Sequence, residues 1–328
     1  LMEDIPLIDL QPQFENHAKE TEIVKQIGEA CENNGFFAVR GHGIPEIVIE
    51  HCWQVSHDFF ALPEEEKQVV KMPFAGYPYG FAGMEAETLS RSRGQKGPPD
   101  LKENFSVGPN ATPPEGISED EVLFVYSENQ WPQNPVNFKQ AWETCYEAMS
   151  LLSMRLMKLF ALALKLPRNY FDDFLRQPIS ALRANHYPAL NKAVLPGQMR
   201  AGAHSDYGSL TLLFQEEGSS GLEILNHQKE WIPVTPSIPD VVVNLGDLME
   251  NWTNGRWIST LHRVIAPDSN KALAQSRMSL AFFQQPDWNA RIECLPTCID
   301  YDKTSKYPVL TSGKYLMERF QSTVVNET

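Results

Sequence analysis

Between residues 180 and 290 the chain offers one short apolar run after another: "ALRANHYPA", "SLTLLFQ", "GLEILN", "EWIPVTP", "DVVVNLGD", "HRVIAP" and "RMSLAFFQQP". The runs have strand length, favour β-branched and aromatic residues, and are separated by Gly, Pro, Asn and Asp. Runs this closely spaced must bury one another, as a barrel or a double-sheet jelly roll. Little else in the chain constrains the fold so strongly. After Pro135, Phe138, Trp142, Cys145, Met149, Leu152, Leu156, Leu159 and Ala163 recur at helical spacing. That pattern predicts a long scaffold helix within 136–175 whose apolar stripe lies on a sheet.

The flanking segments read as satellites of that core. "DIPLIDL" predicts a short strand over 4–10. Ile23, Ile27 and Cys31 mark one face of a helix over 20–34, which stops at Asn34-Gly35. "FFAVRGHGI" reads as a buried strand and "HCWQVSHDFFAL" as a helix, with Pro63 opening the acidic turn "PEEEKQ". Residues 72–135 are rich in Gly and Pro and have little periodicity, as expected of a lid or binding loop. "SGKYLMERFQSTV" predicts a closing helix over 311–325. With no linker-like stretch, a single domain over 1–328 is expected: N-terminal elements and lid-like loops over 1–135, the scaffold helix, and the β core over 180–290.

Composition removes several classes of function. A net charge of −14 argues against nucleic acid or an anionic membrane as the main partner. The most apolar stretch, "LLSMRLMKLFALALKL", is broken by Arg155 and Lys158 and reads as a buried helix rather than a membrane span. No charged segment followed by an apolar one opens the sequence, so no secretion signal is expected. The five cysteines are scattered, as for free thiols in a reducing cytoplasm, and "ECLPTC" lacks the second pair that a zinc knuckle needs.

The chemistry concentrates in three stretches of the β region. In "AHSDYG", His204 and Asp206 are two apart and share a face if the backbone is extended. His262, in "STLHRVI", is the best third ligand. Two histidines and a carboxylate leave three coordination positions open, which suits non-haem Fe(II) binding a cosubstrate together with O2. In "RMSLAFF", Arg277 and Ser279 project to the same side of an apolar strand, and Ala281 and Phe283 continue that face. An inward arginine needs an anion, and its planar fork suits a carboxylate. In "RANHYP", Arg183, Asn185 and Tyr187 share one face and His186 points the other way. A zinc hydrolase could use the same metal ligands, but it has no need of Arg277 and Ser279.

His204-x-Asp206, His262 and Arg277-x-Ser279, in this order, resemble the iron(II)- and 2-oxoglutarate-dependent dioxygenases of the isopenicillin N synthase-like branch. "IPLIDL", "NNGFFAVRGHGI", "FFALPEEEKQ" and "DLKENFSVG" are similar to that branch's amino-terminal elements, so the likeness spans nearly the whole chain. "RAGAHSDYGSLTLLFQ" and "SGKYLMERF" look closest to its microbial thymine 7-hydroxylase-like members. The resemblance implies a mainly β fold with flanking helices, a distorted jelly roll (double-stranded β-helix) braced by the long helix. It implies Fe(II) on His204, Asp206 and His262, and 2-oxoglutarate held by Arg277, Ser279, Tyr187 and Asn185. O2 would be consumed, succinate and CO2 released, and a C–H bond of a small polar metabolite oxidised, with ascorbate stimulating. Arg183, Tyr207 and Phe283 would be substrate contacts, although an internal Asp or Glu is the rival partner for Arg183. Some members of the branch keep the Arg-x-Ser pair but are oxidases that do not consume 2-oxoglutarate, and a non-catalytic metabolite-binding protein is a further alternative.

Overall fold

A computed structural model describes residues 5–11, 17–74, 76–84, 86–94, 97–190, 194–218, 221–266, 275–299 and 304–323. The N-terminal part contains β1 (Leu7–Asp9), α1 (His17–Asn33), β2 (Phe36–Arg40), α2 (Glu46–Phe60), α3 (Glu64–Gln68), β3 (Gly80–Ala82), β4 (Glu103–Val107) and α4 (Glu119–Val125). The long helix α5 (Phe138–Ala163) follows. Then come β5 (Ala181–Tyr187), β6 (Ala201–His204), β7 (Leu210–Gln215), β8 (Leu222–Leu225), β9 (Trp231–Pro233) and β10 (Val241–Leu245). The chain continues through α6 (Asp247–Trp252), β11 (His262–Val264), β12 (Arg277–Gln284), β13 (Arg291–Ile292), β14 (Leu310–Thr311) and α7 (Ser312–Gln321).

The strands build a jelly roll. The major sheet has the order β1-β2-β10-β7-β12-β5-β4-β3 and the minor sheet the order β6-β11-β8-β9. Strand alternation sorts each major-sheet strand into two chemistries. Leu210, Leu212, Phe214, Val241, Val243, Leu280 and Phe282 join the buried core beneath α5, together with Trp142, Met149, Leu156 and Phe160 of that helix. Ring contacts such as Tyr146–Phe282, at 5.2 Å, pin the helix to the sheet, each pair adding about 0.5–1.5 kcal/mol beyond the area it buries. The opposite faces of the same strands carry Thr211, Arg183, Asn185, Tyr187, Arg277 and Ser279 into the space between the two sheets. A core and a site therefore alternate along one strand.

Several boundaries differ from the sequence expectation. The scaffold helix is Phe138–Ala163 rather than 136–175, and a short 3-10 turn at Asp172–Phe174 occupies the remainder. The closing helix is Ser312–Gln321, and the last part of the expected 311–325 lies outside the described residues. Within 72–135, β3 and β4 extend the major sheet: Ser106 pairs with Arg183 and Asn104 with Asn185. These short strands escape a periodicity argument because every residue of Gly80–Ala82 and Glu103–Val107 is buried. At the end of α1, Gly35 adopts φ +63, and a Cβ there would strike the carbonyl oxygen of Ile258, so the stop at Asn34-Gly35 requires glycine.

Candidate active site

His204 and His262 are register partners across β6 and β11, which sets their rings 4.3 Å apart between centroids. Asp206 does not share a strand with His204, contrary to the expectation from "AHSDYG". His204 closes β6 of the minor sheet, and the chain crosses through 205–209 to begin β7 of the major sheet at Leu210. The crossing is held by the first turn of α6: the Asp247 amide donates to Asp206 O at 2.8 Å and the Leu248 amide to Gly208 O at 3.1 Å. Gly246 packs so tightly on Gly208 that a Cβ on it would overlap the Gly208 carbonyl. Asp206 still arrives at the histidines, its Oδ1 3.8 Å from His204 Nε2 and 3.5 Å from His262 Nε2. One ligand atom from each of the three residues fits within 4.8 Å.

The surroundings orient these groups as metal ligands. His204 Nδ1 lies 2.7 Å from Gly202 O, and His262 Nδ1 lies 3.1 Å from Thr260 O. A carbonyl oxygen only accepts, so both protons sit on Nδ1 and both Nε2 lone pairs face the cluster. Asp206 Oδ2 accepts from Thr211 Oγ1 and Asn244 Nδ2, each at 2.6 Å, leaving Oδ1 to the metal side. Burial, then the neighbouring His262, pulls the His204 pKa down to about 3, so its imidazole is neutral. For Asp206 burial acts upward, but His262, His204 and the Thr211 hydrogen bond outweigh it and hold the carboxyl well below its usual range. For His262 burial acts downward and the Asp206 carboxylate more than compensates, raising it. A neutral imidazole and an ionised carboxylate are the ligating forms, and the donor set fits Fe(II).

Beside the cluster, Arg277 is 3% exposed and gives one hydrogen bond, Nη2 to Gln215 Oε1 at 2.9 Å. Its Nε and Nη1 are buried with no partner among the described residues. The guanidinium stands 5.0 Å from the Tyr187 ring centroid, and Ser279 and Asn185 share its wall. Asn185 Oδ1 is likewise buried and unpartnered. Orphaned donors on a fully buried cation are costly unless an anion completes them. They fit the carboxylate of a bound cosubstrate.

Arg183, Tyr207 and Phe283 all line the same cavity. Arg183 has the carboxylate partner that the sequence left open: Nη1 reaches Glu87 at 3.3 Å, and Nε donates to Ser106 Oγ at 2.9 Å. Its guanidinium carbon is 6.0 Å from the Phe283 ring centroid. Burial pushes the Glu87 carboxyl up, but Arg183 and Lys102 overcome that and bring it down to about 2. Sequence reasoning missed Glu87, Lys102, Gln215 and the Asp206 supporter Asn244. Asn244 had a usable signal, a lone amide inside "VVVNL"; Glu87 had none. Leu316 and Phe320 of α7 and Phe124 and Val125 of α4 also line the cavity.

A jelly roll carrying two histidines and an aspartate beside an unpaired buried arginine defines a non-haem iron oxygenase of the 2-oxoglutarate type. Family models agree: "non-haem dioxygenase in morphine synthesis N-terminal" matches residues 5–134 and "2OG-Fe(II) oxygenase superfamily" matches residues 178–286. The chain belongs to the 2OG-Fe(II) oxygenase superfamily and is a 2-oxoglutarate-dependent dioxygenase. It is 32% identical to the 2-oxoglutarate-Fe(II) type oxidoreductase hxnY of Emericella nidulans, over 93% of this chain and 86% of that one. It is also 32% identical to the homoarginine-6-hydroxylase 2-ODD-233 of Oryza sativa subsp. japonica, over 96% of each chain. The full-length thymine 7-hydroxylase of Neurospora crassa, in complex with alpha-KG, superposes with a TM-score of 0.85, at 31% identity over 97% of this chain and 96% of that one. The same protein has been solved with alpha-KG and thymine, with a TM-score of 0.84.

Proposed function

We propose that this dioxygenase oxidises a C–H bond of a small polar metabolite, with Fe(II) on His204, Asp206 and His262 and 2-oxoglutarate anchored by Arg277. The observation that carries the reading is the Arg277 guanidinium: buried, without a carboxylate among the described residues, and lining the same cavity as the histidine cluster. Ser279, Tyr187 and Asn185 complete the carboxylate site. When bound, the iron supplies the activation of O2 coupled to decarboxylation of 2-oxoglutarate to succinate and CO2. The protein's own residues do the positioning. Thr211 and Asn244 fix which Asp206 oxygen faces the metal, the two backbone carbonyls fix the histidine tautomers, and the apolar wall excludes water. Arg183, Tyr207 and Phe283 hold the substrate beside this centre, and Leu316 and Phe320 close it from α7.

The β1–β4 strands pair into the same sheet as the core strands, which supports one domain over 1–328. Among the described residues no helix is long and apolar enough to cross a membrane. The five free cysteines fit a reducing compartment, and the cytoplasm is the location we infer.

The test is anaerobic titration of Fe(II)-loaded protein with 2-oxoglutarate, followed by a metabolite screen for stimulated succinate release with ascorbate present. Wild type should give the weak visible charge-transfer band of an Fe(II)–2-oxoglutarate chelate, and His262→Ala should lose it. Undiminished turnover in His262→Ala would defeat the metal assignment. Substrate oxidation without succinate would favour the oxidase reading.

A further inference from the structure

Further along the sheet face that carries Arg277, where Arg183 pairs with Ala281 rather than with Arg277 itself, the fold gathers a second set of buried charges. Lys102 directly precedes β4, has the parity of Ser106, and lines the cavity with it. Ser106 is the register partner of Arg183. Glu87 comes from the loop segment before β4 and stands between the two cations, 2.9 Å from Lys102 Nζ and 3.3 Å from Arg183 Nη1. Lys102 is 4% and Glu87 7% exposed.

Two cations here share one carboxylate. Elsewhere, Lys67 has two carboxylates in reach, Glu103 and Glu64, while Arg263 pairs with Glu223 and Arg319 with Asp247. Asp100 lies near Lys102 but uses Oδ1 on the Gly202 amide and Oδ2 on the Leu89 amide, both at 3.0 Å. It works as a clip between the loop and β6. Among the described residues, Glu87 alone reaches the Lys102 ammonium within ion-pair distance, and Arg183 Nη2 has no partner. An ammonium has three donors and a guanidinium five, so N–H groups of both remain without a partner among the described residues, and both side chains line the cavity. Leu89, Leu213 and Phe283 line the same cavity.

We propose that the substrate enters with a carboxylate bound between Lys102 and Arg183, its apolar body lying against Leu89, Leu213 and Phe283. The proposal rests on the reading of this cavity as the dioxygenase substrate site and deepens it by naming the substrate class, a small carboxylic acid. Glu87 is the positioning residue: it holds both cations in place and stays ionised in the cluster. Lys102 and Arg183 face the carboxylate. The cosubstrate uses Arg277, which pairs in register with Tyr187 while Arg183 pairs with Ala281 further along the same two strands, so the two anions are read by separate cations.

The experiment is calorimetric titration of protein loaded with Mn(II) and 2-oxoglutarate. The probes are three matched pairs: benzoate and benzamide, cyclohexanecarboxylate and its amide, and uracil-5-carboxylate and thymine. At least one carboxylate should bind ten times tighter than its neutral counterpart. Lys102→Met should bring that ratio within twofold while leaving 2-oxoglutarate affinity unchanged. Glu87→Gln keeps a side-chain oxygen to position the two cations but removes the competing negative charge, so it should keep or widen the ratio, and it decides the matter if Lys102→Met does not fold. In Arg277→Leu, where the cosubstrate site is disabled, the preference should persist. The proposal is overturned if no carboxylate outbinds its partner, binding by none included. It is equally overturned if folded Lys102→Met or Arg277→Leu gives the reverse of these results, or if Glu87→Gln abolishes the preference.

Discussion

Replacing Arg277 with Leu should abolish stabilisation by the cosubstrate without weakening the ligand-free fold. The guanidinium is 3% exposed and, among the described residues, has one hydrogen bond, to Gln215, and two nitrogens without a partner. Losing a buried charged anchor costs about 2–5 kcal/mol of binding, so a loss of about 3 kcal/mol raises Kd by about 150-fold. At about 100 times the wild-type Kd, 2-oxoglutarate stabilises the folded state by about 2.7 kcal/mol. An unfolding entropy of about 2.1 cal/mol/K per residue gives about 0.7 kcal/mol/K for 328 residues, hence a Tm rise of about 4 °C. For the variant the same concentration lies below its Kd, the stabilisation falls to about 0.3 kcal/mol, and the rise stays under about 1 °C. The ligand-free Tm should not drop, because an uncompensated buried cation is destabilising and leucine removes it. Thermal melts of the Mn(II)-loaded protein, with and without 2-oxoglutarate, measure both quantities. A full cosubstrate shift in Arg277→Leu would refute the anchor, and a ligand-free Tm far below wild type would show the arginine to be structural.

Other outcomes follow from the same geometry. Asn244→Ala frees Asp206 Oδ2 from one of its two donors, and should weaken Mn(II) binding by about 10- to 100-fold in a metal titration. A Glu87 carboxyl lowered from 4.5 to about 2 contributes stability that is complete above the unfolded pKa and is lost as pH falls through the folded one. Glu87→Gln should therefore flatten the stability profile between about pH 4.5 and 2, where wild type loses about 3 kcal/mol; an unchanged slope in acid denaturation would contradict the ion cluster. Gly246→Ala would force a Cβ onto the Gly208 carbonyl, displacing the 205–209 crossing and lowering both Tm and metal affinity. Wild-type values for both would show that the crossing adjusts freely.

The sequence by itself determined which side chains face inward. Strand alternation has a period of two, so Arg277, Ser279, Ala281 and Phe283 were fixed to one face and Leu280 and Phe282 to the other once "RMSLAFF" was read as a strand. The same logic separated Arg183, Asn185 and Tyr187 from His186, which in the fold lies 2.7 Å from Glu103 behind the sheet. Helical spacing likewise located the stripe of α5, though not its ends, because terminal turns are decided by capping and contacts rather than by periodicity. Local pattern did not carry pairings between distant segments. That His262 sits opposite His204, that Asp206 reaches them from a crossing between sheets, and that Glu87 meets Arg183 and Lys102 all depend on long-range register. Those pairings arise only when two sheets close over one cavity, where burial removes water and forces each charge to find its partner across the fold.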